Sequence, residues 1–247
     1  MMNEETRRKL RELSLEEMIE ALDLQENNPA CMQLSFDQRM KLLVDHVYQE
    51  KYTNKVKRLI KGARFRIPNG DIHDVYYVDR GIDRQQLTQL STCQFISANQ
   101  NICFQGFTGA GKSFLACALG KEACKQGIRT RYIRLPDLLA EYEDGLQEKL
   151  GVQKLLKKYS NYPLLILDEW LIQIPTKEEL HCLFELVERR YDAGAMIFCT
   201  QFKTEDWHSR LGGGILADSI LDRVIHKTTG FYAGDLNMRE LLAKRKL

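Results

Sequence analysis

Apolar positions recur in two rhythms along this chain, and the change of rhythm marks its organisation. Over residues 1–67 the spacing is helical. Ser14-Leu15-Glu16-Glu17 has the form of a capping box, with Leu15, Met18, Ile19 and Leu22 as an apolar stripe behind it. Asn27-Asn28-Pro29 interrupts the pattern. Ser35-Phe36-Asp37-Gln38 opens a second helix by the same device, carrying Phe36, Met40, Leu43 and Val47. A third amphipathic stretch has its seam at Val56, Leu59, Ile60 and Ala63. Pro68-Asn69-Gly70 reads as a turn and a domain joint, giving a helical domain over 1–70 and a second domain over 71–247.

Beyond the joint, short apolar runs alternate with amphipathic helices. After a lead-in with a helix at 85–90, strands are expected at 101–105, 129–135, 162–168, 195–200 and 227–232. Helices are expected behind residue 113 up to Gly127, from Pro136, over 149–159, over 175–191 and over 215–225.

Between the strand at 101–105 and the helix after it lies Gly106-Phe107-Thr108-Gly109-Ala110-Gly111-Lys112-Ser113, a full match to G-x-x-x-x-G-K-[ST] in the strand–loop–helix setting that motif needs. Backbone N–H groups of such a loop hold phosphates, glycines keep Cβ atoms out of the way, and the helix aims its positive end at the same point. The stretch from Gly106 to Phe114 is therefore expected to bind a nucleotide, with Lys112 on the β and γ phosphates and Ser113 on Mg²⁺.

Tyr162-Pro163-Leu164-Leu165-Ile166-Leu167-Asp168-Glu169 is a continuous apolar run ending in two carboxylates, the pattern of a buried parallel strand delivering acids to its carboxyl end. Downstream of a phosphate loop, Asp168 suits Mg²⁺ and Glu169 suits a general base that polarises the attacking water. The strand at 195–200 ends in Thr200-Gln201, where a polar side chain either bonds the γ-phosphate or water, or merely caps the strand.

Charge changes the picture of the first domain. Lys51, Lys55, Lys57, Arg58, Lys61, Arg64 and Arg66 fall within sixteen residues that hold no acid. Such a run is either a solvated helix face or a contact for the DNA backbone. Net charge is only +2, so nucleic-acid binding would have to come from that cluster. No apolar stretch suits a signal peptide or a membrane span, and a cytoplasmic protein is expected. The seven cysteines form no C-x-x-C pair and the five histidines no ligand spacing, which points to reduced, mostly buried thiols and no zinc site.

Taken in order, these blocks resemble the IstB-type ATPases that assist transposases, close to the helicase loader DnaC within the AAA+ ATPases. Gly81-Ile82-Asp83-Arg84, Leu165 to Glu169, Arg189-Arg190-Tyr191, Ile220-Leu221-Asp222-Arg223-Val224-Ile225-His226 and Gly234 to Arg239 carry the resemblance beside the phosphate loop. The resemblance implies an α/β P-loop AAA+ core, a five-stranded parallel sheet sandwiched by helices, preceded by a small all-helical domain and without a separate C-terminal lid. It implies ATP and Mg²⁺ at interfaces between subunits, with Arg223 as an arginine finger, Arg239 as a second sensor, and Gln201 with Thr200 as the first sensor, where Asn is commoner. It also implies self-association into an ATP-dependent oligomer on double-stranded DNA that presents the target to a transposase. Two rivals share the phosphate loop. A replicative helicase loader would differ mainly in its partner, and a small-molecule kinase would need an acceptor pocket that no residue pattern indicates.

Overall fold

Helical spacing in the first part of the chain becomes α1 (Glu4–Glu12), α2 (Glu16–Glu26), α3 (Pro29–Met32) and α4 (Phe36–Ala63). The computed structural model describes residues 2–234 and 236–244. It divides into units Met1–Arg58 and Leu59–Leu247, so that the last residues of α4 and the turn at 68–70 belong to the second unit.

The two helices expected within 36–63 are one helix of 28 residues. No Gly or Pro falls between Val47 and Val56, so the backbone hydrogen bonds run on unbroken. The two capping boxes also part company. Ser35 and Gln38 bond reciprocally, each side chain to the other's backbone N–H. Ser14 instead takes a left-handed φ of 55°, and Leu15 precedes α2 with no side-chain cap. Asn28 caps α3, with Pro29 in its first turn, so the sequence break opens another short helix. Arg7 pairs with Asp23, and buried Gln25 bonds the Arg39 carbonyl at 2.8 Å.

The second unit runs through α5 (Arg84–Ser91), α6 (Gln94–Ser97), β1 (Asn101–Gln105), α7 (Lys112–Lys125), β2 (Thr130–Arg134), α8 (Leu135–Leu146), α9 (Gly151–Ser160), β3 (Leu164–Asp168), α10 (Lys177–Arg190), β4 (Ala195–Thr200), α11 (Trp207–Arg210), α12 (Gly214–Ile225), β5 (Thr228–Tyr232) and α13 (Met238–Lys244). The strands form one sheet in the order β2-β3-β4-β1-β5, parallel at every pairing.

Alternate residues of each strand enter opposite faces, and both faces are buried. Ile102, Phe104, Leu164, Ile166 and Ile197 pack with Leu115, Leu119 and Phe65 on one side. Cys103, Leu165, Leu167, Met196 and Phe198 pack with Leu138, Leu183, Trp207 and Ile220 on the other. That double burial is why the central strands read as uninterrupted apolar runs. It also leaves their carboxyl ends as the place where polar groups collect, with Gln105 opposite Thr200 and Arg134 opposite Asp168. No helix among the described residues is long and apolar enough to cross a membrane.

Candidate functional site

The phosphate loop leaves β1 at Gly106 and enters α7 at Lys112. Gly109 and Gly111 both take φ of 92°, a region open to glycine. A Cβ on Gly109 would be strained by that backbone conformation and, 2.4 Å from Oδ1, would displace the Asn237 side chain. Lys112 Nζ donates to the carbonyls of Gly106 at 2.7 Å and Phe107 at 2.9 Å. Burial pushes its pKa down, and no carboxylate among the described residues pairs with it. A half-buried ammonium held only by carbonyls, at a helix N-terminus, is the electrostatic half of an anion site.

The acidic half comes from β3. Asp168 is 2% exposed, accepting from the Tyr132 hydroxyl at 2.6 Å and from the Glu169 N–H at 2.8 Å. Burial and that carboxylate together push the Tyr132 hydroxyl's pKa well up, so it remains a donor. Glu169 takes a left-handed φ of 56°. Its two oxygens accept from Arg66 at 3.0 Å and Arg134 at 3.4 Å. Ser113 and Asp168 offer a hydroxyl and a carboxylate, hard oxygen donors of the kind Mg²⁺ takes when substrate phosphates complete its shell. Among the described residues no cluster of three or more His, Cys, Asp and Glu could hold a metal unaided.

Loop and acids open on one cavity of about 670 Å³. Thr108, Gly109, Gly111, Lys112, Ser113, Phe114, Asp168, Glu169, Gln201 and Arg239 all line it. Gln201 Oε1 accepts from Thr108 at 3.2 Å, which ties the end of β4 to the loop. Thr200 bonds the Trp170 carbonyl and the Phe202 N–H. Arg223 lies outside this cavity, on α12, paired with Glu188 and 5.4 Å over the Phe184 ring. The seven basic residues of 51–66 are all exposed, yet Arg66 turns into this same cavity and onto Glu169.

Sequence reasoning missed Arg80, Tyr132 and Arg134, and it read Arg66 only as part of a basic run. Arg134 carried one legible signal, its place at the end of a strand. Arg80 carried none.

The family model for the IstB-like ATP binding protein matches residues 8–243, nearly the whole chain. This protein belongs to the IstB-like ATP-binding protein family. Among its relatives are an insertion-sequence ATP-binding protein of Sinorhizobium fredii (y4pL), 32% identical over 88% of this chain and 89% of that protein, and that of IS1162 from Pseudomonas fluorescens, 31% identical over 81% and 87%. Solved structures of similar fold include the DnaC helicase loader (TM-score 0.54, 19% identity, 66% of this chain and 96% of that one). AMPPCP-bound DnaA from Aquifex aeolicus is another (TM-score 0.58, 18% identity, 73% and 55%). The IstB-like chain thus has the P-loop AAA+ architecture, and the ATP in its family's description accords with the chemistry of the loop.

Proposed function

We propose that this chain hydrolyses ATP and uses the cycle to assemble on double-stranded DNA as a helper of transposition. The observation that carries this is the meeting of Lys112, Ser113, Asp168 and Glu169 around one cavity, in a chain whose relatives are insertion-sequence ATP-binding proteins. Lys112 exchanges its loop carbonyls for the β and γ phosphates, and the loop N–H groups hold the remaining oxygens. Ser113 and Asp168 would hold Mg²⁺, which neutralises phosphate charge. Glu169 takes a proton from water as the water oxygen bonds to the γ-phosphorus and the bond to the leaving ADP oxygen breaks. For that, its oxygens must first leave Arg66 and Arg134. Gln201 and Arg239 face the γ-phosphate end. Arg223 serves the site of a neighbouring copy.

Lys51, Lys55, Lys57, Arg58, Lys61 and Arg64 supply the DNA contact, with Arg66 engaged at Glu169. Six phosphate contacts give a slope of log affinity against log salt of about −5. The test is ATPase activity and duplex binding of the full chain across a salt series. Hydrolysis stimulated by duplex, lost in Lys112→Ala, with a steep salt slope, is expected. A salt-insensitive chain whose hydrolysis ignores DNA would refute the helper role. A helicase loader shares this core, and the insertion-sequence relatives favour the transposase as partner. Stimulation by a replicative helicase, and none by a transposase, would reverse that choice.

A further inference from the structure

Arg80 is 2% exposed and reaches the phosphate loop from the lead-in before α5. Its Nη2 donates to the carbonyls of Ala110 at 2.5 Å and Ala233 at 2.7 Å, and its Nη1 to that of Tyr76 at 3.0 Å. Its Nε has no partner, and no carboxylate among the described residues pairs with the guanidinium. A Cβ built on Gly111 would lie 3.0 Å from Nη2, so the group rests directly against the loop. Burial works against its charge, lowering its pKa.

Arg190 is equally buried and equally bound to carbonyls, those of Tyr159, Tyr162 and Ala195, so carbonyl binding alone does not define a role. What sets Arg80 apart is the peptide it holds. In a planar trans peptide the C=O and the following N–H point to opposite sides. Drawing the Ala110 carbonyl onto Arg80 therefore turns the Gly111 N–H the other way. A carbonyl left free to swing into the cavity would set an oxygen against phosphate oxygens. The same nitrogen grips Ala233, beyond β5, and that segment bonds the loop again where the Met238 N–H meets the Gly109 carbonyl at 2.9 Å. Loop and the start of the Arg239 helix thus share one support.

We propose that Arg80 is a positioning residue for phosphate binding, turning the Gly111 N–H toward the nucleotide while its own buried charge is balanced by the phosphates. This role presupposes that the cavity takes ATP. The test compares Mg·ATP and AMP affinities, by competition, for wild type, Arg80→Met and Arg80→Lys, each with a thermal melt. Arg80→Met is expected to lose ~10–100-fold in ATP affinity, the worth of hydrogen bonds to a charged group, with AMP affinity within about twofold. Arg80→Lys, which keeps the charge without the fork, recovers part of the loss. A merely structural staple would lower the melting temperature and leave the ATP-to-AMP ratio at its wild-type value, and that result overturns the inference. Should Arg80→Met fail to fold, Arg80→Lys decides by the same ratio. A wild type that binds neither nucleotide overturns the ATP reading itself.

Discussion

Glu169 sits in a left-handed backbone conformation that costs a non-glycine residue ~1 kcal/mol or more, and its neighbours hold it there. Asp168 Oδ1 accepts its N–H, and the next N–H, of Trp170, donates to the Cys199 carbonyl at 2.9 Å. The result is a carboxylate presented to the nucleotide cavity between two arginines. Glu169→Gln keeps the volume and one acceptor oxygen but cannot take a proton from water. ATP affinity is expected within about twofold of wild type, with single-turnover phosphate release slower by ~10²-fold or more. Wild-type release would remove Glu169 from the role of base. This residue, with Lys112, Ser113 and Asp168, was legible because each stands in a contiguous string whose neighbours announce it. Tyr132 was not, and Arg134 was marked only by its place at a strand's end, since their contacts come from the pairing of β2 with β3, which sets Arg134 opposite Asp168. Arg66 was read for its charge, and only the fold shows that the charge meets Glu169.

At the scale of elements, α7 is the piece on which the site depends, and two contacts fix it. Asp71 caps a single 3-10 turn, Ile72–Asp74, and bridges Lys121 at 3.2 Å and Lys125 at 3.1 Å on α7. Partial burial raises its pKa, but the His73 N–H and the two lysines outweigh that and bring it down to about 2. A carboxyl depressed below its unfolded value of 3.8 contributes stability above that pH and loses it as pH falls toward 2. Asp71→Asn keeps the cap and removes the charge. It is expected to cost about 0.5–1 kcal/mol at pH 7 in chemical unfolding. The gap to wild type should close by about pH 2, and a gap constant with pH would exclude the ion pairs as its source. The other contact is Gly120, where a Cβ would meet Phe65 at 2.6 Å and Ile166 at 2.8 Å. Gly120→Ala gains helix propensity of ~1 kcal/mol yet overpacks the helix against β3 by ~1–3 kcal/mol, so a net loss in unfolding free energy is expected. The central strands β1, β3 and β4 were the most legible elements, because burial on both faces makes them short, nearly continuous apolar runs. Helix ends in the first unit were less so. The Ser35 box forms and the Ser14 box does not, although their sequences look alike, because the chain turns at Ser14 through a left-handed residue.

On the scale of the whole molecule the cavity holds the loop together with Ser113, Asp168 and Glu169, the residues proposed for Mg²⁺ and for the base, while the cation expected beside the γ-phosphate from outside, Arg223, is occupied elsewhere. It pairs with Glu188, donates to the Ser219 carbonyl at 2.9 Å and lies over Phe184, all within its own chain. An arginine acting in a neighbour's site must exchange Glu188 for that neighbour's phosphate. The Glu188 carboxylate is 47% exposed, so solvent weakens the pair to roughly 0–1 kcal/mol and the exchange is cheap. In the proposed cycle assembly would supply this charge at the γ-phosphate from outside the protomer, an effect worth ~10³–10⁵ in rate for GTPases that receive such a finger. Arg223→Ala is accordingly expected to bind ATP as wild type does and to show a rate per subunit that no longer climbs with protein concentration. Glu188→Gln, which frees the arginine, shifts the climb to a concentration lower by about twofold to fivefold, the equilibrium equivalent of that weak pair. Steady-state hydrolysis across a protein dilution series, with sedimentation at each concentration, reads both variants at once. A rate per subunit that is flat with concentration in the wild type would show that each protomer completes its own site, and Arg223 would then be no more than the anchor of α12 on Glu188 and Phe184.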